Sequence, residues 1–308
     1  MNTIGTLFRV TTWGESHGKA LGVLIDGCPP GLEISEEKIQ KDLDRRKPGQ
    51  SGTTARHEED KVEILSGVFE GRSLGTPISM LVRNHDAKPE DYKNVGTRPG
   101  HADFTYEAKF GIRDPRGGGR SSGRETVARV MAGAVAREFL KYLSVKSYIR
   151  QIGTVKNENL EESPTPKMLE EIEKAQNEGD SLGGIVEIHV TGLEAGIGSP
   201  VFGKLEAQMA KALMSVGAVK GFEFGEGFNA ANLRGSEHNS RPSGGSLGGI
   251  SDGTELILRV AVKPPSSIAK EVSGRHDVCI VPRIPVILES MVLIVLADLL
   301  LMQRAQNV

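Results

Sequence analysis

The chain has 308 residues, 38% hydrophobic and 25% charged. That is enough to bury a full core and too apolar for a disordered polymer. A net charge of −2 gives no global field for nucleic acid, and two cysteines, Cys28 and Cys279, cannot build a disulfide framework. The first residues, MNTIGTLFRV, lack the charged head and long apolar run of a secretory signal, so the expected setting is reducing and cytoplasmic.

In chain order, residues 6–12 and 21–26 read as strands flanking a turn that carries GESHG at 14–18. A helix is expected from about Ser35, with Glu36 and Glu37 in its first turn, where carboxylates suit the helix dipole. Residues 61–69 and 77–82 are strand candidates. Val127, Val130, Met131, Ala134, Val135 and Leu140 follow helical spacing through 124–140. Thr165 can cap a helix that starts at Pro166 and stops at Gly179. Val186, Ile188 and Val190 alternate as in a strand. Phe202, Leu205, Met209, Ala212 and Leu213 predict a helix, and residues 254–263 a strand with Leu256, Leu258, Val260 and Val262 on one face. Residues 284–302 are almost continuously apolar, but Glu289 and Asp298 would be costly in lipid. A helix buried in a large core or against another subunit is expected there, not a membrane span. Strands come singly and in pairs among helices without a βαβ rhythm. The expected fold is therefore α+β with antiparallel sheets, in one domain spanning 1–308.

The segment GIRDPRGGGRSSGRE at 111–125 carries most of the chemical information. Arg113, Arg116, Arg120 and Arg124 surround three glycines and two serines at the start of a helix. Glycines let backbone N–H groups approach an anion, and arginine matches phosphate or carboxylate with a planar fork. The expectation is a cradle for a small, highly anionic ligand. RRKPG at 45–49, RPGHAD at 98–103 and GRHDVC at 274–279 are further polar clusters bounded by Gly or Pro. GESHG fits the G-x-S-x-G pattern, but a strand-like segment follows it where a hydrolase elbow needs a helix. There is no P-loop, HExxH or paired CxxC motif, so no metal is expected. RGGGR occurs once, without interleaved aromatics, which argues against an RNA-binding Arg/Gly segment.

Taken together, GESHG, DLDRRKPG, RPGHADFTY, RDPRGGGRSSGRE, ALMSVGAVKG, GGSLGGISDG, VKPPSSI and GRHDVC resemble the chorismate synthase family in the order of its blocks, over nearly the whole chain. The resemblance implies a sandwich of helices between antiparallel β-sheets, a homotetramer, and an FMN-dependent lyase. The implied reaction is a 1,4-anti elimination of phosphate from 5-enolpyruvylshikimate 3-phosphate, giving chorismate for aromatic amino-acid biosynthesis. It implies reduced FMN as cofactor and NADPH as a candidate reductant. By similarity, His17 and His101 are the acid–base histidines and Asp277 the catalytic aspartate. Arg46 and Arg124 are the ligands for substrate anions. The flavin is expected against Arg120, Ser121, Ser122, Gly217, Ala218, Gly248, Lys263, Pro264, Pro265, Ser266, Ser267 and Arg275. The rival expectations are another phosphate-binding flavoprotein lyase and an RNA-binding protein using the Arg/Gly loop; no nucleic-acid or membrane partner is expected. Compared with the family, the chain is short near residues 51–52, 95–96, 144–145, 239–241 and 269–272, and Gly217 and Gly123 replace a common asparagine and alanine.

Overall fold

The computed structural model describes residues 1–47, 58–86, 96–271 and 276–306. Two antiparallel five-stranded sheets enclose a layer of helices. The first sheet contains β1 (Thr3–Ile4), β2 (Arg9–Gly14), β3 (Ala20–Asp26), β4 (Val62–Ser66) and, beyond a small hairpin of β5 (Val68–Phe69) and β6 (Arg72–Ser73), β7 (Ile78–Arg83); its order is β1-β2-β3-β7-β4. The second contains β8 (Ser144–Ile152), β9 (Val155–Lys156), β10 (Gly184–Thr191), β11 (Val219–Phe224) and, after a hairpin of β12 (Ser246–Leu247) and β13 (Ile250–Ser251), β14 (Leu256–Val262); its order is β11-β14-β10-β8-β9. Every pairing in both sheets is antiparallel. The α+β sandwich expected from the sequence is the fold observed.

Between the sheets lie α1 (Glu36–Arg46), α3 (Thr126–Phe139), α5 (Leu205–Met214) and α7 (Pro285–Gln306), with α2 (Asp103–Phe110), α4 (Pro166–Asn177) and α6 (Gly235–Asn239) outside this layer. Ser35 caps α1 by accepting from the Lys38 N–H, and Thr165 caps α4 by accepting from the Met168 N–H, as their positions predict. In β14, Leu256, Leu258, Val260 and Val262 are buried while their neighbours alternate outward. One continuous core joins both sheets through α3 and α7.

The helix α7 is long and apolar enough to cross a membrane by length and composition alone, but the fold buries it among its own elements from Pro285 to Leu300. Its two acidic side chains are neutralised in place. Glu289 accepts from Arg45 Nη1 and Nη2 at 2.8 and 2.9 Å and from Arg137 at 3.3 Å. Asp298 accepts from the backbone N–H groups of Thr6, Leu7 and Phe8 at 2.7–2.9 Å. Those three donors belong to the turn before β2, so the carboxylate fastens the start of the first sheet to the central helix. A subunit interface is not needed to bury this segment.

One packing expectation is corrected. Phe202 does not join the helix of Leu205, Met209 and Leu213; it is 94% exposed, and α5 starts three residues later. Glycine at 203 lets the chain turn back on Ser199 first, so helical spacing carried across 202–205 has no helix to act on.

Candidate active site

The tract Gly117–Gly118–Gly119 is the centre of the site, and its glycines are needed for close approach to two histidines. All three have positive φ, at 62°, 86° and 52°. A Cβ on Gly117 would collide with Cε1 and Nδ1 of His17. A Cβ on Gly118 would lie 3.0 Å from Cε1 of His101 and 3.1 Å from Nη2 of Arg98. The tract therefore runs between the two histidines, touching one with each of two successive residues. Only glycine permits both the backbone conformation and the approach.

His17 sits in the turn between β2 and β3 and is buried. The turn closes with Gly18 N–H donating to Glu15 O at 3.0 Å, and Ser16 N–H donates to Gly119 O at 3.4 Å. Ser16 Oγ donates to Gly117 O at 3.2 Å and stands 3.0 Å from His17 Nδ1. With its proton directed to the carbonyl, the hydroxyl accepts from Nδ1–H. That network occupies Nδ1 and turns Nε2 to the opposite edge of the ring, free to exchange a proton with a ligand.

His101 is set by the RPGHAD turn leading into α2. Arg98 donates from Nε and Nη2 to the two carboxylate oxygens of Asp103, at 2.8 and 2.9 Å, and its backbone N–H adds a third bond at 3.1 Å. His101 Nδ1 lies 2.9 Å from Asp103 Oδ1. Burial and the Arg98 charge push the His101 imidazole below its usual pKa, against the pull of Asp103. Burial alone would raise the Asp103 carboxyl, but the Arg98 hydrogen bonds outweigh it and hold the group well below the carboxylate range.

A second, more deeply buried cluster lies on the α1 side. Asp60 is 0% exposed and receives Arg46 Nη2 at 2.6 Å and Arg124 Nη1 at 2.5 Å. Burial would raise the Asp60 carboxyl, and the two guanidinium charges reverse that and lower it. Among the described residues, two buried N–H groups in this cluster have no hydrogen-bond partner, Nε of Arg46 and Nη2 of Arg124; the latter is 3.6 Å from Glu58 Oε2. Buried unpaired guanidinium donors are costly in a protein interior, and an anion bound there would relieve the cost. Arg283 completes the group. It donates to Asp277, and burial pushes its pKa down while Asp277 opposes and the nearby Arg46 charge adds to the fall. Arg46, Arg124 and Asp277 are thus brought into one electrostatic neighbourhood.

The residues expected around a flavin divide into groups. Lys263 donates to Ser266 Oγ and to Pro264 O, and Ser266 Oγ donates to Gly100 O at 2.8 Å, so this segment lies directly behind His101. The backbone N–H of Lys263 donates to Ala218 O at 2.8 Å, which brings Gly217 and Ala218 to the same place. Lys263 has no carboxylate partner among the described residues; burial, and then the charge of Lys220, lower its pKa. An ammonium in that position suits a phosphate or another anion. Pro265 O accepts from Ser181, Ser121 Oγ donates to Gly118 O, and Ser122 Oγ accepts from the Arg124 N–H at the helix start. Ser267 is half-buried on the same segment. Gly248 stands apart. Its neighbour Gly249 accepts from Leu205 N–H at the start of α5, whereas Gly217 follows the end of that ten-residue helix, about 15 Å away. Arg275 lies outside the described residues, as do Pro48 and Gly49 of the RRKPG turn.

The cradle of four converging arginines is corrected by the same geometry. Arg113 faces Asp103 and Glu107, Arg116 chelates Asp114, and Arg120 donates to Gly14 O, Thr12 O and Thr12 Oγ1 on β2. Of the four, Arg124 retains a buried N–H with no hydrogen-bond partner among the described residues. Successive positive-φ glycines turn the chain too sharply for neighbouring side chains to share a direction. The residues that sequence reading did not single out are Asp60, Asn84, Asp103, Arg98 as a histidine partner, and Arg283. Asp103 and Arg98 sat within a recognised block, and Arg283 four residues after one; Asp60 and Asn84 had no local signal.

The comparisons with known proteins bear on the chain as a whole. The family model described as chorismate synthase matches residues 8–301. A chorismate synthase of Roseiflexus castenholzii is 49% identical over 98% of this chain and 98% of its own length. That of Syntrophus aciditrophicus is 50% identical over 99% and 98%, and that of Methanosarcina mazei 49% identical over 96% and 95%. The Roseiflexus comparison runs over 349 positions against 308 residues here, in keeping with the short segments read from the sequence. A crystal structure of chorismate synthase superposes with a TM-score of 0.80 at 33% identity, covering 97% of this chain and 93% of that one. With a whole-chain family match, relatives near half identity from end to end and the same sandwich of helices between sheets, this chain belongs to the chorismate synthase family.

Proposed function

We propose that this protein eliminates phosphate from 5-enolpyruvylshikimate 3-phosphate in the 1,4-anti sense to form chorismate, with reduced FMN bound. The observation that carries the reading is the seating of Gly117 and Gly118 against His17 and His101, two proton-transfer groups on one loop, beside arginines with unsatisfied buried donors.

The substrate carries a phosphate and two carboxylates, and Arg46 and Arg124 present Nε and Nη2 to such groups. His17 lies in the turn fastened to Arg124 through Asn84, so it is the group placed to donate a proton to the departing phosphate. His101 lies against the Lys263–Ser266 segment instead, on the side where the flavin would be held. Its lowered pKa keeps it neutral at pH 7 and able to exchange a proton. Lys263, Ser266, Ala218, Gly217, Ser121 and Ser122 fit that cofactor: they offer a cation with no carboxylate partner among the described residues, hydroxyls and open backbone. Held by these residues, reduced flavin would supply transient electron donation to an elimination that is redox-neutral overall. Asp277, held by Arg283, lies toward the substrate arginines and is the remaining candidate for proton handling.

Assembly as a homotetramer is proposed from the family alone, since α7 is already buried within one chain. Cytoplasmic operation fits two buried, unpaired cysteines. An RNA-binding role has less support, because three of the four loop arginines are occupied by protein carboxylates or carbonyls. The test is anaerobic incubation of the purified protein with FMN, dithionite and substrate, followed by assay for chorismate and phosphate. Equal amounts of the two products are expected; substrate recovered unchanged would reject the reading. A parallel arm with NADPH in place of dithionite shows whether the protein reduces its own flavin.

A further inference from the structure

Asn84, the residue immediately after β7, makes four directed hydrogen bonds. Its backbone N–H donates to Lys19 O at 3.1 Å. Its side-chain Nδ2 donates to Glu15 O at 3.2 Å and Gly18 O at 2.8 Å, the two carbonyls that begin and end the His17 turn. Its Oδ1 accepts from Arg124 Nε at 2.9 Å. The amide can be oriented only one way, because flipping it would set two carbonyls against Oδ1 and a guanidinium N–H against Nδ2. One neutral side chain therefore grips the proton-donating turn with one end and the anion-binding arginine with the other.

The grip on Arg124 determines where its remaining donors point. Nη1 is taken by Asp60, and Glu58 lies 3.6 Å from Nη2, too far for a hydrogen bond. Released from Asn84, the guanidinium could rotate to meet these carboxylates as a two-pronged pair, which is the geometry arginine favours. Its unsatisfied N–H would then be spent on protein rather than on ligand. The same release would leave two turn carbonyls without their amide donor. The Gly117 tract would then hold His17 from one side only.

We infer that Asn84 is a positioning residue that couples the orientation of His17 to that of Arg124, so that the proton donor and the anion ligand are held in register. This rests on the function proposed above. It also accounts for the residue type: a carboxylate would oppose the carbonyls of Glu15 and Gly18, and an alkyl side chain would serve neither arm.

The test uses Asn84→Ala and Asn84→Asp in the full chain, with Thr165→Ala, a helix-cap change remote from the site, as a control for lost stability alone. Asn84→Ala is expected to lower kcat roughly tenfold to a hundredfold, the range that small misplacements of reacting groups produce, and to raise KM several-fold. Asn84→Asp retains an acceptor for Arg124 but no donor for the turn. Its kcat is expected to fall at least as far, and this variant decides the matter if the alanine variant does not fold. Thr165→Ala should lower the melting temperature and leave kcat and KM alone. An Asn84 variant that melts earlier but turns over normally, or one that changes KM only, would overturn the inference. An NMR titration of the His17 imidazole in the same variants does not depend on turnover. Its resonances are expected to move while those of His101 hold. If wild type proves inactive, the functional reading fails, and unmoved His17 signals would separately overturn the coupling.

Discussion

Gly117 lies against the Cε1–Nδ1 side of the His17 imidazole, so closely that the smallest side chain would displace the ring. Gly117→Ala also forces an L-residue to a φ of 62°. The backbone strain should cost about 1–2 kcal/mol in denaturant unfolding. The larger effect should be on turnover, because His17 must move. Turnover within twofold of wild type would show that the histidine position is not used.

Replacing His17 or His101 by alanine should each lower turnover by about 10²–10⁴ if both transfer protons in the slow part of the reaction. FMN binding, read by flavin fluorescence, should persist in both. Full activity in either variant removes that residue from the acid–base assignment.

Asp277→Asn is nearly isosteric and keeps an acceptor for Arg283. The protein should fold and bind substrate, with a slower chemical step in single-turnover measurement. Normal turnover would leave the pair a structural ion pair only.

The contribution of Asp103 to stability has a defined pH window. Its folded pKa lies below the unfolded value, so the native state binds fewer protons than the unfolded chain as the pH falls. The contribution is complete above the unfolded pKa of about 3.9 and is lost progressively below it. In a His101→Ala background, which removes the imidazole that Asp103 also holds, the difference in urea midpoint between Asp103 and Asp103→Asn proteins should therefore be constant from neutrality down to about pH 5 and shrink below about pH 4. A difference independent of pH would contradict the assigned direction.

Asp298→Ala removes the acceptor for three backbone N–H groups. Hydrogen bonds to charged groups contribute about 1.5–3 kcal/mol each, and partial replacement by water should leave a loss of about 2–4 kcal/mol in equilibrium unfolding. A change under about 0.5 kcal/mol, the scale of ordinary surface substitutions, would mean that the tie from α7 to the first sheet is unimportant.

The elements that sequence reading captured are those with a local signature. Ser35 and Thr165 cap helices, β14 alternates cleanly, and the 284–302 run has no face left for water. The second sheet was legible only in part. In β8, Ser147 occupies an inward position, and β11 carries a glycine, so neither segment shows clear apolar alternation. Within the site, His17, His101, Arg46, Arg124 and Asp277 stand in blocks that resemble a family, and the fold gathers them. The acid–amide framework that aims them was not legible. Asp60 meets Arg124 across 64 residues and Asn84 meets it across 40, separations at which no spacing rule operates. The glycine tract carried a second requirement that composition did not reveal: its packing gives clearance to two imidazole rings.

The central claim is that His17 and His101, seated on one glycine tract, are the proton-transfer groups of a chorismate-forming lyase. The most direct measurement is a single anaerobic turnover with reduced FMN and 5-enolpyruvylshikimate 3-phosphate, following chorismate and phosphate together in wild type and in the His17→Ala/His101→Ala double variant. Wild type should release the two products in equal amounts, and the double variant, with FMN still bound, should be slower by at least about 10². Chorismate formed by the double variant at the wild-type rate, or none formed by wild type, would contradict the account.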